Sequence, residues 1–226
     1  MLQQHDSELF SGSAPQTMAG LHLGTRMTVV RLSGGGLFLH SPIRLDAALR
    51  AELHALGPVM AVVAPNLFHH LHVGPYRDAY PAAKLFGAPG LAEKRKDLHW
   101  DATLGSSPDP LWLADLEQHQ VDGMKHLRET VFFHPATRTL ITSDLLFNVG
   151  APEHLPTRIY SRVAGTYDRV AVSRIVRLAV DDRAAARRSI DTVLEWDFDR
   201  VILAHGAVLE TGGKALFRAA WGWLTP

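Results

Sequence analysis

Three histidines, His69, His70 and His72, fall within four residues, directly after the apolar run Met60–Ala64 and the turn pair Pro65–Asn66. Neutral imidazole is a common ligand for transition metals, and a loop just past a strand end can aim several rings at one point. Two more residues of ligating type follow β-type runs: Asp144 after Thr139–Ser143, and His205 after Arg200–Ala204. His40 closes a fourth such run, Gly36–Leu39. Strand ends gather along one edge of a sheet, so residues distant in sequence can meet there. Nitrogen and oxygen donors of this kind suit one zinc, iron or manganese ion, and the residue types do not select among the three.

The elements that must position these side chains can be read from periodicity. Met27–Leu32 and Gly36–His40 read as strands joined at Ser33–Gly35. Leu45, Leu49, Leu53 and Leu56 recur at helical spacing before the stop signal Gly57–Pro58. Met60–Ala64 is wholly apolar, as a strand covered on both faces should be. A helix is expected near Tyr76–Leu85, and a strand and turn over Lys84–Gly90. Lys94–Asp109 is charged and loop-like, and Leu116–Val121 suits a strand. Glu129–His134 and Thr139–Asp144 form the arms of a hairpin around Pro135–Arg138. Helices are expected over Asp168–Ala179, Arg183–Trp196 and Gly213–Leu224, with the buried-type strand Arg200–His205 between the last two. Residues 1–20, rich in Ser, Gln and Gly, read as a loose leading segment. Strands and helices alternate in both halves, which indicates one layered α/β domain over residues 1–226.

Composition narrows the functions. Lys+Arg and Asp+Glu both total 23, so there is no net charge and no basic footprint for nucleic acid. The chain has no cysteine, which excludes thiolate metal sites, Cys nucleophiles and disulfides. No run approaches the ~18 apolar residues of a membrane span, and the N-terminus lacks a signal-peptide pattern. The expected setting is the cytoplasm, with a small-molecule partner rather than a nucleic acid or a membrane. The sequence leaves the oligomeric state open. Gly34–Gly36 lacks the lysine and helix of a phosphate loop and reads as a β-turn.

Taken in order, Gly34–Pro42, Val62–Pro65, Thr130–Phe147 and Arg200–Gly206 resemble the metallo-β-lactamase superfamily, over roughly residues 25 to 210. The resemblance implies an αββα sandwich and a metal hydrolase or a related protein. The superfamily's metal loop is His-x-His-x-Asp-His followed by x-Gly. Anchored on His72-Val73-Gly74, the four ligand positions of that loop fall on Leu67, His69, Leu71 and His72. Asp144 matches the aspartate that follows the hairpin, and His205-Gly206 matches the last His-Gly ligand. A further ligand segment aligns near His126–Thr130, and His40 stands where an aspartate usually lies close to the metals. The implied ligands are therefore His69, His72, Asp144 and His205, with His40, His70, His126 and Asn66 in reserve.

Two readings follow. In one, a single ion held by this set supports hydrolysis of a small substrate. In the other, Leu67 and Leu71 line a drier, metal-free pocket, and Asn66 and the histidines bind a small polar ligand by hydrogen bonds. A di-iron oxidoreductase needs a nearly complete ligand set, which the same two leucines oppose. Blander roles compete at single positions. Asp144 can serve as a helix N-cap, and His205 as a core donor. His134, at the hairpin tip, and His119 and His126, in a polar stretch, read as surface residues.

Overall fold

The structure, a computed structural model, describes residues 1–224. The first half of the chain forms β1 (Gln3–Asp6), β2 (Leu9–Ala14), β3 (Thr17–Met18), β4 (Leu21–His22), β5 (Thr25–Arg31), β6 (Leu37–His40), β7 (Val59–Ala64), β8 (Lys84–Gly87) and β9 (Ala102–Thr103). Seven of these make one sheet in the order β1-β2-β5-β6-β7-β8-β9, and β3 pairs with β4 apart from it. The second sheet has four strands in sequence order: β10 (Glu117–Gln120), β11 (Thr130–His134), β12 (Thr139–Ile141) and β13 (Arg200–Ile202). The helices are α1 (Ala47–Leu56), α2 (Val73–Ala79), α3 (Leu91–Lys94), α4 (Leu155–Ala164), α5 (Arg174–Leu178), α6 (Arg183–Glu195) and α7 (Gly213–Trp221).

The period-2 alternation of side chains along the strands sorts them into three apolar layers. Val30, Phe38, Val63 and Phe86 of the first sheet meet Phe132, Ile141 and Ile202 of the second. Val29, Leu39, Val62 and Leu85 point the other way, onto Leu49 and Leu53 of α1 and Tyr76 of α2. Val131, Phe133, Leu140 and Val201 face Ile190 and Val193 of α6 and Phe217 of α7. Helix, sheet, sheet and helix thus stack as an αββα sandwich. Local signals agree with this order. Asp46 Oδ1 caps α1 by accepting from Leu49 N at 2.8 Å, and Asp182 Oδ1 caps α6 by accepting from Ala185 N at 2.9 Å.

Three expectations need correction. Residues 1–20 are not loose: β1 and β2 extend the large sheet, with Leu9 and Phe10 buried. Leu9 packs between the sheets and Phe10 on the opposite face, but the buried small residues Ser11 and Gly12 interrupt the apolar run, so the Ser-Gly-Ser of Ser11–Ser13 hides a strand. The helix expected over Asp168–Ala179 is confined to α5, because Asp168 takes a left-handed φ of 49° and Ala171 bridges to Phe147. The extra helix α4 precedes it. His134 is buried at 3% exposure rather than sitting on the surface; its Nδ1 lies 2.8 Å from Thr137 Oγ1 in the turn.

The first correction is testable. Leu9→Ala, in a strand that packs between the sheets, is expected to cost about 3 kcal/mol in chemical denaturation. A cost under about 0.5 kcal/mol would mean that the leading strands are not part of the core.

Candidate metal centre

Four strand ends converge on one edge of the sandwich. β12 and β13 run parallel in the register Ile141↔Ile202, so Asp144 and His205 each lie three residues beyond a paired position. The strand β7 ends at Ala64, and the chain then passes through Pro65 and Asn66 into the histidine loop before α2. Two backbone bonds tie that loop to the second sheet: Thr130 N donates to Pro65 O at 2.9 Å and Leu67 N to Leu127 O at 3.0 Å. From β6, Ser41 follows His40 in a left-handed conformation, φ 56°. That strained backbone places its hydroxyl 2.7 Å from His69 Nδ1.

His69, Asp144 and His205 are brought together, each offering one ligand atom, with all three atoms within 4.8 Å of one another. Asp144 Oδ1 lies 3.4 Å from His69 Nε2 and 3.2 Å from His205 Nε2. His205 Nδ1 donates to the Gly24 carbonyl at 2.9 Å, which turns Nε2 toward the aspartate. Pinning the far ring nitrogen in this way is how metal-ligating histidines are oriented. The His205 ring also stacks on Phe147, with centroids 5.3 Å apart. Gly206 is required beside it: φ is +103°, and a Cβ there would lie 1.9 Å from the Asn148 carbonyl oxygen.

Charge sets the protons. Burial alone would lower the His69 pKa, but Asp144's charge and hydrogen bond raise it overall. Burial likewise opposes ionisation of Asp144, yet His69 and His205 pull its carboxyl well below the usual range. A raised histidine stabilises the fold below about pH 6.5, and that contribution is lost as pH rises through its folded value. A lowered aspartate stabilises it above about pH 3.9, lost as pH falls through its folded value. The His69–Asp144 pair is therefore fully expressed between those two limits.

The other sequence candidates are placed elsewhere or already engaged. His72 lines the cavity but bonds Gln16 Oε1 at 3.1 Å and does not join the cluster. His70 Nδ1 accepts from Arg95 Nη1 at 3.0 Å; burial, then the positive Lys94 and Arg95, press its pKa down to about 4. His126 is exposed on the loop before β11. His40 is buried behind His69, edge-on to Phe132, and burial followed by the charge of His69 lowers its pKa to about 3. Asn66 has no free donor or acceptor for an ion: Nδ2 donates to Glu129 Oε2 at 2.9 Å and Asp144 Oδ2 at 2.8 Å, and Oδ1 accepts from Phe68 N and His69 N.

Sequence reasoning passed over Glu129 and Ser41. Glu129 is fully buried and accepts from Thr142 Oγ1 (2.5 Å), Ser143 N (2.7 Å), Asp144 N (2.9 Å) and Asn66. Burial and then Asp144 push its carboxyl up, while these donors act in the opposite direction. The signal was present: a lone acid opens the otherwise uncharged strand run Glu129–His134.

The cavity above the cluster encloses about 430 Å³, and its walls include Met18, Leu23, Pro42, Phe68, Leu71, Phe147 and Ile175. Tyr160 and His205 also border a smaller neighbouring cavity of about 140 Å³. Leu67 and Leu71 diverge at this point: Leu67 is drawn toward the core of the first sheet, and Leu71 stays 55% exposed at the rim.

Solved structures establish the fold. A DIM-1 metallo-β-lactamase exposed to ceftazidime superposes with a TM-score of 0.69 at 13% identity, over 100% of this chain and 97% of that one. The FIM-1 metallo-β-lactamase of Pseudomonas aeruginosa, in its mono-zinc form, gives 0.69 at 12% identity, over 99% and 94%. A metallo-β-lactamase from Hirschia baltica gives 0.68 at 10%, over 100% and 98%. The chain thus has the metallo-β-lactamase fold, and at these identities the likeness is one of fold alone. By sequence the chain belongs to the family of the domain of unknown function DUF4336, which matches residues 9–167. The matched span holds His69, Glu129 and Asp144 and ends before His205. No curated protein matches the sequence.

Glu129→Gln tests the buried network. Whichever way the amide is turned, its NH2 faces at least one backbone N–H, of Ser143 or of Asp144. The substitution is expected to cost about 2–3 kcal/mol in chemical denaturation. A change within about 0.5 kcal/mol would show that the carboxylate does not hold these strand ends.

Proposed function

We propose that this chain is a hydrolase-like protein that holds one metal ion through His69 Nε2, Asp144 Oδ1 and His205 Nε2 and acts on a small molecule in the adjoining cavity. One observation carries the reading: the three ligand atoms lie within 4.8 Å of one another, while the opposite ring nitrogens are held by Ser41 and Gly24. The donor set fits the group. Two imidazoles and a carboxylate suit zinc, iron or manganese, and three protein ligands leave a position open for chemistry. The bound ion would supply Lewis acidity toward a carbonyl or phosphoryl oxygen and lower the pKa of water.

The protein's own residues do the rest. Asn66 keeps Asp144 Oδ2 occupied, so Oδ1 faces the two imidazoles. The Gly24 carbonyl engages Nδ1 of His205, so Nε2 is the nitrogen left to face an ion. Phe147 and the apolar cavity walls keep bulk water from the cluster and select substrates with an apolar body. A regular second metal site is not part of this proposal. Leu71 stands where a second aspartate is needed, and the Glu129 carboxylate is consumed by four donors.

A metal-free binding protein is the second reading, and Asp144 favours it, since two histidines already meet its charge without an ion. Calorimetry of chelator-stripped protein with zinc, iron(II) and manganese(II) separates the two. We expect about one ion per chain and a loss of about a hundredfold or more in affinity for His205→Ala. Because the ion must displace the proton that Asp144 favours on His69, affinity is expected to rise about tenfold per pH unit below the raised His69 pKa and to level off above it. Occupancy under about a tenth with all three metals, beside stabilisation by small organic ligands alone, would overturn the metal reading in favour of the second.

A further inference from the structure

The segment from Leu155 to Leu178 differs from the rest of this neutral chain. It carries Arg158, Arg162, Arg169, Arg174 and Arg177 against a single acid, Asp168. Among the described residues, arginine ion pairs are made by Arg31, Arg77, Arg95, Arg138, Arg187 and Arg200, and by none of these five. Two of the five bind carbonyls near the C-terminus of α4: Arg169 Nε donates to Gly165 O and Arg174 Nη1 to Val163 O. Burial, and then the charges of Arg169 and Arg174, press the Arg177 pKa down, so like charges crowd here.

The same segment supplies five of the eleven large apolar side chains that stand exposed among the described residues: Leu155, Ile159, Val163, Ile175 and Leu178, the last at 86%. Leu155, Ile159 and Val163 recur every four residues and form one stripe along α4, opposite its buried Thr157 and Ser161. At 100° per residue, Arg158 and Arg162 flank that stripe on one side and Tyr160, which lines the cavity, on the other. Ile175 continues the apolar surface to the cavity mouth, and Leu178 lies one turn beyond it.

We propose that the α4–α5 face docks on an anionic membrane surface, its aliphatic side chains entering the headgroup boundary and its arginines meeting lipid phosphates. Aliphatic side chains bordered by unpaired basic ones have the chemistry of an interfacial helix. A second copy of the chain fits worse, because a two-fold contact through this face sets arginines against arginines. A nucleic acid meets the charge but not the five aliphatics, where single strands want aromatic platforms. No described helix is long and apolar enough to cross a membrane, so the contact is peripheral. The cavity mouth opens beside this face, which gives apolar molecules in the bilayer a direct route to it.

The test is co-sedimentation of the full chain with vesicles of phosphatidylcholine alone or with about a third phosphatidylglycerol. We expect binding to the anionic vesicles only, released at about 0.5 M salt. Arg158→Gln and Arg162→Gln should each weaken it about fivefold, and Ile159→Ser combined with Val163→Ser should abolish it. Both changes lie on an exposed surface, and circular dichroism checks that the variants stay folded. Absent binding, or equal binding to both vesicle types, overturns the proposal. So does a dimer in sedimentation equilibrium that the Ile159→Ser, Val163→Ser variant splits, since the face then belongs to a second copy. None of these readouts depends on a bound metal.

Discussion

A carboxylate taken out of water must be met by donors, and Glu129 draws its donors from both sheets at once. Thr142, Ser143 and Asp144 reach it from the end of β12, and Asn66 from the loop after β7. The idealised cost of burying an unpaired carboxylate runs to tens of kcal/mol, far more than one protein's net stability. The strand ends are therefore not free to drift: separating them strips a buried carboxyl group of its four hydrogen bonds. Asn66 passes the constraint on, because the same amide that serves Glu129 also holds Asp144. The histidine loop inherits its place from Asn66 Oδ1, which accepts from the backbone of Phe68 and His69.

This arrangement explains how the candidate site keeps its shape with protons alone. Asp144 lies between His69 and His205, and its negative charge favours a proton on His69. An ion would use the same three atoms and release that proton. Such binding would be a competition between a proton and an ion for one pocket of negative potential. The strain at Ser41 and the close approach at Gly206 belong to the same design: both hold an imidazole at its far nitrogen or its backbone, and neither touches the ligand atoms themselves.

Much of the sandwich was legible because each strand has one face toward the partner sheet and one toward a helix, which leaves runs such as Met60–Ala64 and Val131–Phe133 apolar throughout. Segments whose buried positions hold small or polar side chains were harder. The strand Leu9–Ala14 hides behind serine and glycine, and α4 behind a stripe of aliphatics that points outward rather than into the core. At the site, Asp144 and His205 were readable because they lie in register just past paired strands, and His69 because it sits in the loop that follows one. What His70, His72 and Asn66 do depends on partners remote in sequence: Arg95 for His70, Gln16 for His72, Glu129 and Asp144 for Asn66. No local pattern encodes those pairings. Glu129 was overlooked for the opposite reason, as a single acid among apolar neighbours looks like a strand boundary until its donors are counted.

The two leucines of the histidine loop carry the remaining logic. In a loop built to hold two ions, the positions of Leu67 and Leu71 would be ligands. Here Leu67 turns into the first sheet's core and Leu71 adds to the apolar rim with Phe68, Met18 and Ile175. Removing ligands lowers the charge that the loop can neutralise and at the same time raises the apolar character of the cavity above it. An apolar cavity strengthens each remaining electrostatic contact of Asp144. The exposed aliphatics of α4 and α5 extend that apolar surface outward from the same opening, and total composition conceals them because their arginines are balanced by acids on other faces of the fold.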